Sequence, residues 1–240
     1  MPGRAVLTED IQQYLITGAS RGIGRAIAGK LAGKGRKLLL HGRDRSALEE
    51  TAELVMLQGA SARVVVADLA IESGVEAVIE SVEEGPLHGL INNAGIAVVK
   101  PVAEITPAEW QQTLAINVTA PFVLCSRLLP LMPSGGTIVN ILSIAAKVGF
   151  PGWSSYCMSK FAIEGFSQSI REELRPLGVR VVNIYPAATL TEMWENVSGE
   201  WSEERMLDPD EVAGAVVYAL ERPSDVAVES INIGNITGPM

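Results

Sequence analysis

Short apolar runs alternate with amphipathic stretches along this chain, and that alternation leaves few folds open. Strand character is read at residues 14–17, 37–41, 63–67, 89–92, 137–141, 179–185 and 230–233. Helical periodicity fills the gaps at 22–32, 46–57, 71–82, 154–174 and 210–221, with a long helix starting near Thr106 and ending before Pro130 or Pro133. Thr106 is a natural cap for that helix, with Pro107 at its first position and Glu109 placed to complete a capping box. Strands joined by helices through short connections lie parallel, so the pattern predicts an α/β fold: a doubly wound parallel sheet of about seven strands with helices on both faces. No linker, repeat or low-complexity tract interrupts it, and residues 1–240 are read as a single domain. Residues 187–207 are the least patterned stretch. They follow the sixth strand, on the edge of such sheets where ligands bind, and are expected to form a substrate lid.

Composition supports this reading. Hydrophobic residues make up 48% of the 240, and the mean hydropathy of +0.24 suits strands covered on both faces. A net charge of -9 and a pI near 4.8 argue against nucleic acid or an anionic membrane as partner. Arg4 is not followed by an apolar core before Thr8, Glu9 and Asp10, so no signal peptide is read. No apolar run is seen to approach the roughly 18 residues that a membrane span needs, and a cytoplasmic location is expected. The two cysteines, Cys125 and Cys157, have neither metal-ligand spacing nor the numbers for a disulfide framework, and are read as packing residues. His41 is read as a strand-end surface residue and His88 as a loop residue, so no metal site is expected.

Chemistry enters at the first strand-to-helix turn, Thr17-Gly18-Ala19-Ser20-Arg21-Gly22-Ile23-Gly24. Glycines there let the backbone turn tightly and approach a pyrophosphate held at the positive end of the helix that follows. The second strand then ends in His41-Gly42-Arg43, with no acid placed to bind both adenosine ribose hydroxyls. Arg21 and Arg43 instead offer two guanidinium groups suited to a 2'-phosphate, which favours NADP(H) over NAD(H).

The second chemical signal is Tyr156-Cys157-Met158-Ser159-Lys160, which places a phenol and an ammonium on one helix face. Bringing a phenol from about 10 to about 7 needs roughly 4 kcal/mol. One ammonium about 4 Å away at an effective dielectric of about 20 supplies that much. The pair is therefore expected to act as a proton donor, with Lys160 lowering the pKa of Tyr156.

These residues, with Asn92-Asn93-Ala94-Gly95, Asn117, Ser143 and Pro186, resemble the classical short-chain dehydrogenase/reductase family over essentially the whole chain. The resemblance implies that Asn117, Ser143, Tyr156 and Lys160 are catalytic. Tyr156 would be the general acid, Ser143 would hydrogen-bond the substrate oxygen, Lys160 would also hold the nicotinamide ribose, and Asn117 would hold a water that returns protons. It implies cofactor contacts at Gly18, Ser20, Arg21, Gly22, Ile23, Gly24 and Arg43. Further contacts are implied at Asp68 and Leu69 around the adenine, at Asn92, Ala94 and Gly95, and at Pro186, Ala187, Thr189 and Thr191. Ala187 stands where the family has glycine.

The expected activity is NADP(H)-dependent reduction of a ketone or aldehyde, on a small carbonyl or alcohol substrate. Reduction of 3-oxoacyl groups on an acyl carrier protein is the alternative. It is disfavoured because Ser134 and Leu177 stand where such reductases tend to carry arginine, and because the chain is itself acidic. A catalytically silent NADP-sensing regulator is a further alternative, disfavoured by the intact Ser143, Tyr156 and Lys160. A sugar-nucleotide epimerase is disfavoured by the glycine spacing. Residues 145–153 and 193–201 are expected to line a partly apolar substrate site. The resemblance also implies pairing of the two long helices across two-fold axes, hence a homotetramer, with a dimer as the alternative.

Overall fold

The computed structural model describes residues 11–82, 85–197 and 202–238, so Arg4, Thr8, Glu9, Asp10 and Trp201 lie outside it. Seven strands, β1 (Gln12–Thr17), β2 (Arg36–Gly42), β3 (Ser61–Val66), β4 (Leu87–Asn92), β5 (Thr137–Ile141), β6 (Arg180–Pro186) and β7 (Ser230–Ile233), form one sheet in the order β3-β2-β1-β4-β5-β6-β7. All six pairings are parallel. The predicted doubly wound sheet is therefore observed. Chain order reverses between β1 and β4, and the connections leaving those two strands part in opposite directions, which opens a crevice at their carboxyl ends.

Helices cover both faces. On one face α1 (Gly22–Leu31), α2 (Arg45–Leu57) and α7 (Pro209–Leu220) bury Ile27, Leu31, Leu48, Val55, Val212 and Val216 against Ile16, Leu38 and Leu40. On the other, α3 (Glu72–Glu80), α5 (Ala120–Leu128) and the C-terminal half of α6 (Ser154–Leu174) pack on Leu15, Leu39, Leu90 and Ile138. Alternate residues of one strand thus feed opposite cores, which is why the strands read as unbroken apolar runs. His88 lies within β4, not in a loop, and its Nδ1 accepts from the Gln13 amide at 3.2 Å.

The long helix starts as its sequence predicts. The Thr106 hydroxyl accepts from the Glu109 amide at 3.2 Å, and the Glu109 carboxylate accepts from the Thr106 amide at 2.9 Å. It does not run on unbroken. α4 (Pro107–Leu114) passes into a π turn over Ala115–Thr119 before α5 begins. Pro121 explains the change, because it has no amide to bond the Asn117 carbonyl four residues back and its ring would collide with that carbonyl. Among the described residues Pro107–Leu131 is the one helical stretch long and apolar enough to cross a membrane, which corrects the reading that no such stretch exists. Its Ala120, Leu124, Cys125 and Leu128 are buried in the sheet core, where a helix packed on a sheet needs apolar residues.

A ladder of polar side chains crosses this core, although Asn92 Oδ1 is left without a partner. Asn92, Asn140 and Asn183 stand in register on β4, β5 and β6, with Nδ2-to-Oδ1 distances of 2.9 Å for the first pair and 3.2 Å for the second. The ladder ends on Glu164, which accepts from Asn183 Nδ2 at 3.0 Å and from the Tyr185 hydroxyl.

Candidate active site

The crevice between β1 and β4 is bridged by side chains of its own strand ends. The Thr17 hydroxyl donates to the Ile91 carbonyl at 3.2 Å and accepts from the amides of Asn93 and Ala94, each at 3.0 Å. Asn93 Nδ2 returns two bonds, to the carbonyls of Thr17 at 2.9 Å and Gly18 at 3.1 Å. Around this tie the glycine turn is compact. Gly18 and Gly22 have φ of 69° and 52°, and a Cβ on Gly24 would lie 2.1 Å from the Gly18 carbonyl oxygen. Gly24 therefore lets α1 close against the strand end, while Gly18, Ser20, Arg21, Gly22 and Ile23 face a cleft of about 810 Å³.

One end of the cleft lies over β2 and β3. Arg21 and Arg43 are exposed there, and Gly42 beside Arg43 is buried, where any Cβ would lie 3.3 Å from the Ser20 hydroxyl. Asp44 is occupied as the cap of α2, accepting from the Ala47 amide at 3.2 Å. Asp68 and Leu69 border the same end, and Asp68 also accepts from the Ala70 amide at 2.9 Å. His41 is not a surface residue: it is 2% exposed, borders the cleft and has its Nε2 3.2 Å from the Ala67 carbonyl. Burial pushes its pKa down to about 4, so the ring is neutral in the neutral range.

At the other end β5 delivers Ser143 and the first turns of α6 deliver Tyr156 and Lys160 to one wall. Lys160 Nζ donates to the Ile141 carbonyl at 2.7 Å and lies 5.5 Å from the centre of the Tyr156 ring. Burial drives the two groups in opposite senses. It pushes the phenol up to about 12, opposed by the hydrogen bond with Ser143, and the ammonium down to about 8. Burial is the largest influence on the phenol and acts against the lowering expected from Lys160. At neutral pH the phenol is protonated, a state suited to giving a proton.

Three residues expected at the site stand behind it. Asn92 is buried beneath the crevice and donates to Asn140 and, at 3.4 Å, to Cys125 Sγ, while its neighbour Asn93 borders the cleft. Gly24 lies under the turn. Asn117, in the π turn, grips the Ile96 peptide at both ends, accepting from its amide at 2.9 Å and donating to its carbonyl at 2.8 Å. Its Nδ2 also donates to Ser159, which donates to the Tyr156 carbonyl at 2.8 Å. A Cβ on Gly95 would sit 3.5 Å from Asn117 Oδ1 and 3.8 Å from Lys160 Nζ, so those two groups flank Gly95 beside Ala94.

The remaining wall follows β6. Pro186, Ala187, Thr189 and Thr191 border the cleft, and the Thr191 side chain closes over Gly22. Ala187 is accommodated without strain, since no described non-glycine residue has positive φ, and its amide donates to the Ile233 carbonyl at 2.8 Å. The stretch from Ala188 to Leu207 is closed at its base by a Thr189–Leu207 bridge and by bonds of 2.8 and 2.9 Å. Phe150, Trp153, Met193 and Trp194 border the cleft, as the segments around them were expected to, whereas Ile96, Ala97, Val98 and Gln112 are additions. Those four lie on the β4–α4 connection and the start of the long helix, where the sequence carries no local chemical signal. Among the described residues no group of three or more metal-ligating side chains occurs.

The profile of the short chain dehydrogenase family matches residues 12–201. The chain belongs to that family. A sepiapterin reductase of Chlorobaculum tepidum is 33% identical over 235 residues, covering 93% of this chain and 96% of the relative. Among solved structures, a landomycin C-6 ketoreductase with bound NADP and rabelomycin superposes with a TM-score of 0.84 at 30% identity, over 95% of this chain and 97% of the other. An alcohol dehydrogenase from the archaeon Thermococcus sibiricus, complexed with 5-hydroxy-NADP, gives 0.87 at 28% identity, over 95% and 98% of the two chains. The family's dinucleotide fits this cleft: the cradle at Gly18 and Gly22 leaves room where a Cβ would intrude, and Arg21 and Arg43 border the same cleft.

The buried ammonium yields a test of the site's electrostatics. Lys160 has a pKa of about 8 folded against an ordinary 10.5, so between those values the unfolded chain holds a proton that the folded chain has released. Stability contributed by this group therefore rises with pH across the window. At about 1.36 kcal/mol per pH unit, the wild type should gain about 3 kcal/mol relative to Lys160→Met between pH 8 and 10.5. Urea unfolding of both proteins across that range checks it, and a flat difference contradicts the assigned burial.

Proposed function

We propose that this chain is an NADP(H)-dependent oxidoreductase that reduces a ketone or aldehyde to an alcohol, with Tyr156 as general acid. The observation that carries the reading is the buried Tyr156 phenol lining, together with Ser143 and Lys160, a cleft whose far end presents Arg21 and Arg43. Bound there, the nicotinamide would supply the hydride. Arg21 and Arg43 would hold the 2'-phosphate, Asp68 and Leu69 would border the adenine, and the amides of the glycine turn would meet the pyrophosphate. Pro186, Ala187, Thr189 and Thr191 would border the nicotinamide half, with Ala94 and Gly95 opposite and Lys160 beneath.

The substrate carbonyl oxygen would lie between the Tyr156 and Ser143 hydroxyls. Ser143 stabilises the charge that develops on that oxygen, and Tyr156 gives it a proton. The phenolate left behind is compensated by Lys160 and recovers its proton along the polar groups beneath it. In the oxidative direction the same phenolate is the base. Residues 187–207 would act as the lid, hinged at the bonds between Ala188, Leu190 and Leu207. A free small carbonyl compound is favoured over an acidic carrier protein, because Leu177 stands exposed where a carrier-binding arginine would be needed. The exposed Phe122 and Phe161 on α5 and α6 support self-association through these helices into a homotetramer.

Tyr156→Phe keeps the ring and removes the proton, so kcat should fall by about 10²- to 10⁴-fold with NADPH binding nearly unchanged. A ketone and aldehyde panel followed by NADPH oxidation, with cofactor binding titrated separately, measures both; a variant that retains wild-type turnover overturns the assignment. For the wild type, reduction should hold level from pH 6 to about 7 and fall through about pH 8, where Lys160 gives up the charge that compensates the phenolate, although the phenol itself stays protonated. Arg43→Asp should raise KM for NADPH about 10- to 100-fold and shift preference toward NADH. Equal use of NADH and NADPH by the wild type would refute the charge argument. Light scattering at micromolar concentration should give four chains per particle, and a particle of 25.5 kDa would rule out association.

A further inference from the structure

Beyond Tyr156 and Ser143 the cleft changes character. Its outer wall is built from Val98, Ala145, Phe150, Trp153, Met193 and Trp194. The cations that border the cleft are elsewhere: Arg21 and Arg43 frame the opposite end, and Lys160 is buried with its Nζ on the Ile141 carbonyl. A carboxylate or phosphate on a substrate would find no counter-ion among the side chains of this outer wall.

The aromatic rings are ordered into a row. Trp153 meets the Tyr156 ring edge-on at 5.5 Å and 68°, and meets Trp194 edge-on at 5.8 Å and 60°. The row runs from the acid, across the loop ahead of α6, to the lid. Trp194 turns its polar edge inward, its Nε1 donating to the Thr189 carbonyl at 2.9 Å, which leaves ring carbon as the surface it can offer. The Trp153 backbone is held by a hydrogen bond from its amide to the Phe150 carbonyl at 3.1 Å, and its ring lies between those of Tyr156 and Trp194. A flat ring held next to Tyr156 would extend an arrangement of edges and faces that the protein has already built, without reordering flexible side chains.

We propose that, within the carbonyl-reductase reading above, the substrate is an uncharged ketone carried beside an aromatic ring, and that Trp153 and Trp194 determine this specificity. Both tryptophans act on the substrate's ring, while the proton still comes from Tyr156. The preference arises in binding, so it appears in KM more than in kcat.

The test compares 2-tetralone with 2-decalone, two ketones on one fused skeleton that differ in whether the far ring is aromatic and not in conjugation of the carbonyl. The wild type with NADPH should favour 2-tetralone by about tenfold in kcat/KM, mainly through KM, and should discriminate against phenylglyoxylate, which adds a carboxylate. Trp153→Leu and Trp194→Leu should each draw the tetralone-to-decalone ratio toward one, and Trp153→Phe should restore it. A wild type that uses 2-decalone as well as 2-tetralone overturns this specificity while leaving carbonyl reduction standing. Tryptophan fluorescence of the NADP-saturated protein separates the remaining cases. Saturable quenching by 2-tetralone that is lost in Trp153→Leu, with no turnover of either ketone, upholds aryl recognition and overturns the reductase reading. Absence of both quenching and turnover overturns the two together.

Discussion

The parting of β1 and β4 is the constraint on which the rest of this molecule depends. Parallel strands need crossovers, and at one place in the sheet the crossovers must leave in opposite directions. Two diverging backbones expose amides and carbonyls that the sheet can no longer pair. Thr17 and Asn93 take up those groups by bonding each other's strand end, through the Thr17 hydroxyl on one side and the Asn93 amide on the other. The mutual tie sets the width of the cleft. It also brings Gly18 so close to Asn93 that a Cβ there would lie 2.9 Å from Nδ2. Cofactor geometry and fold integrity are thus satisfied by the same few atoms.

Burial has two consequences that run through the site. In the core it favours pairing of polar groups, and the asparagines of β4, β5 and β6 bond across the strands, with Ser167 and Glu164 closing the row and Asn92 Oδ1 alone in it left without a partner. At the carboxyl edge the same desolvation separates a phenol from its proton less readily and an ammonium more readily. Tyr156 is consequently kept as an acid by the packing of Trp153, Ala145 and Cys157 around it. The Asn117 side chain stiffens this arrangement from behind, since it joins the loop after β4 to the helix that carries Tyr156.

The two ends of the cleft are also tuned differently. Charge gathers at Arg21 and Arg43, at the start of α1 and the end of β2, whereas carbon surface gathers between the α6 loop and the segment after β6. Pinning that segment at Leu207 holds Trp194 within edge contact of Trp153.

Local chemistry was legible without a structure. The capping box at Thr106 and Glu109, the strand-turn-helix at Gly18 to Gly24 and the one-face placement of Tyr156 and Lys160 all depend on neighbours a few residues apart, so the sequence by itself determined them. The alternation of apolar runs determined the sheet class for the same reason, because each run must be covered on both sides. Even the π turn had a local signal in Pro121. What the tertiary structure alone decided are properties set by residues distant in the chain. Asn93 and not Asn92 faces the cleft, because strand register turns Asn92 toward Asn140. His41 is buried because Ala67 comes to lie against it, and the Tyr156 phenol rises to about 12 because the surrounding chain removes water from it. Desolvation and register are sums over contacts between segments that folding brings together, and no window of sequence contains them.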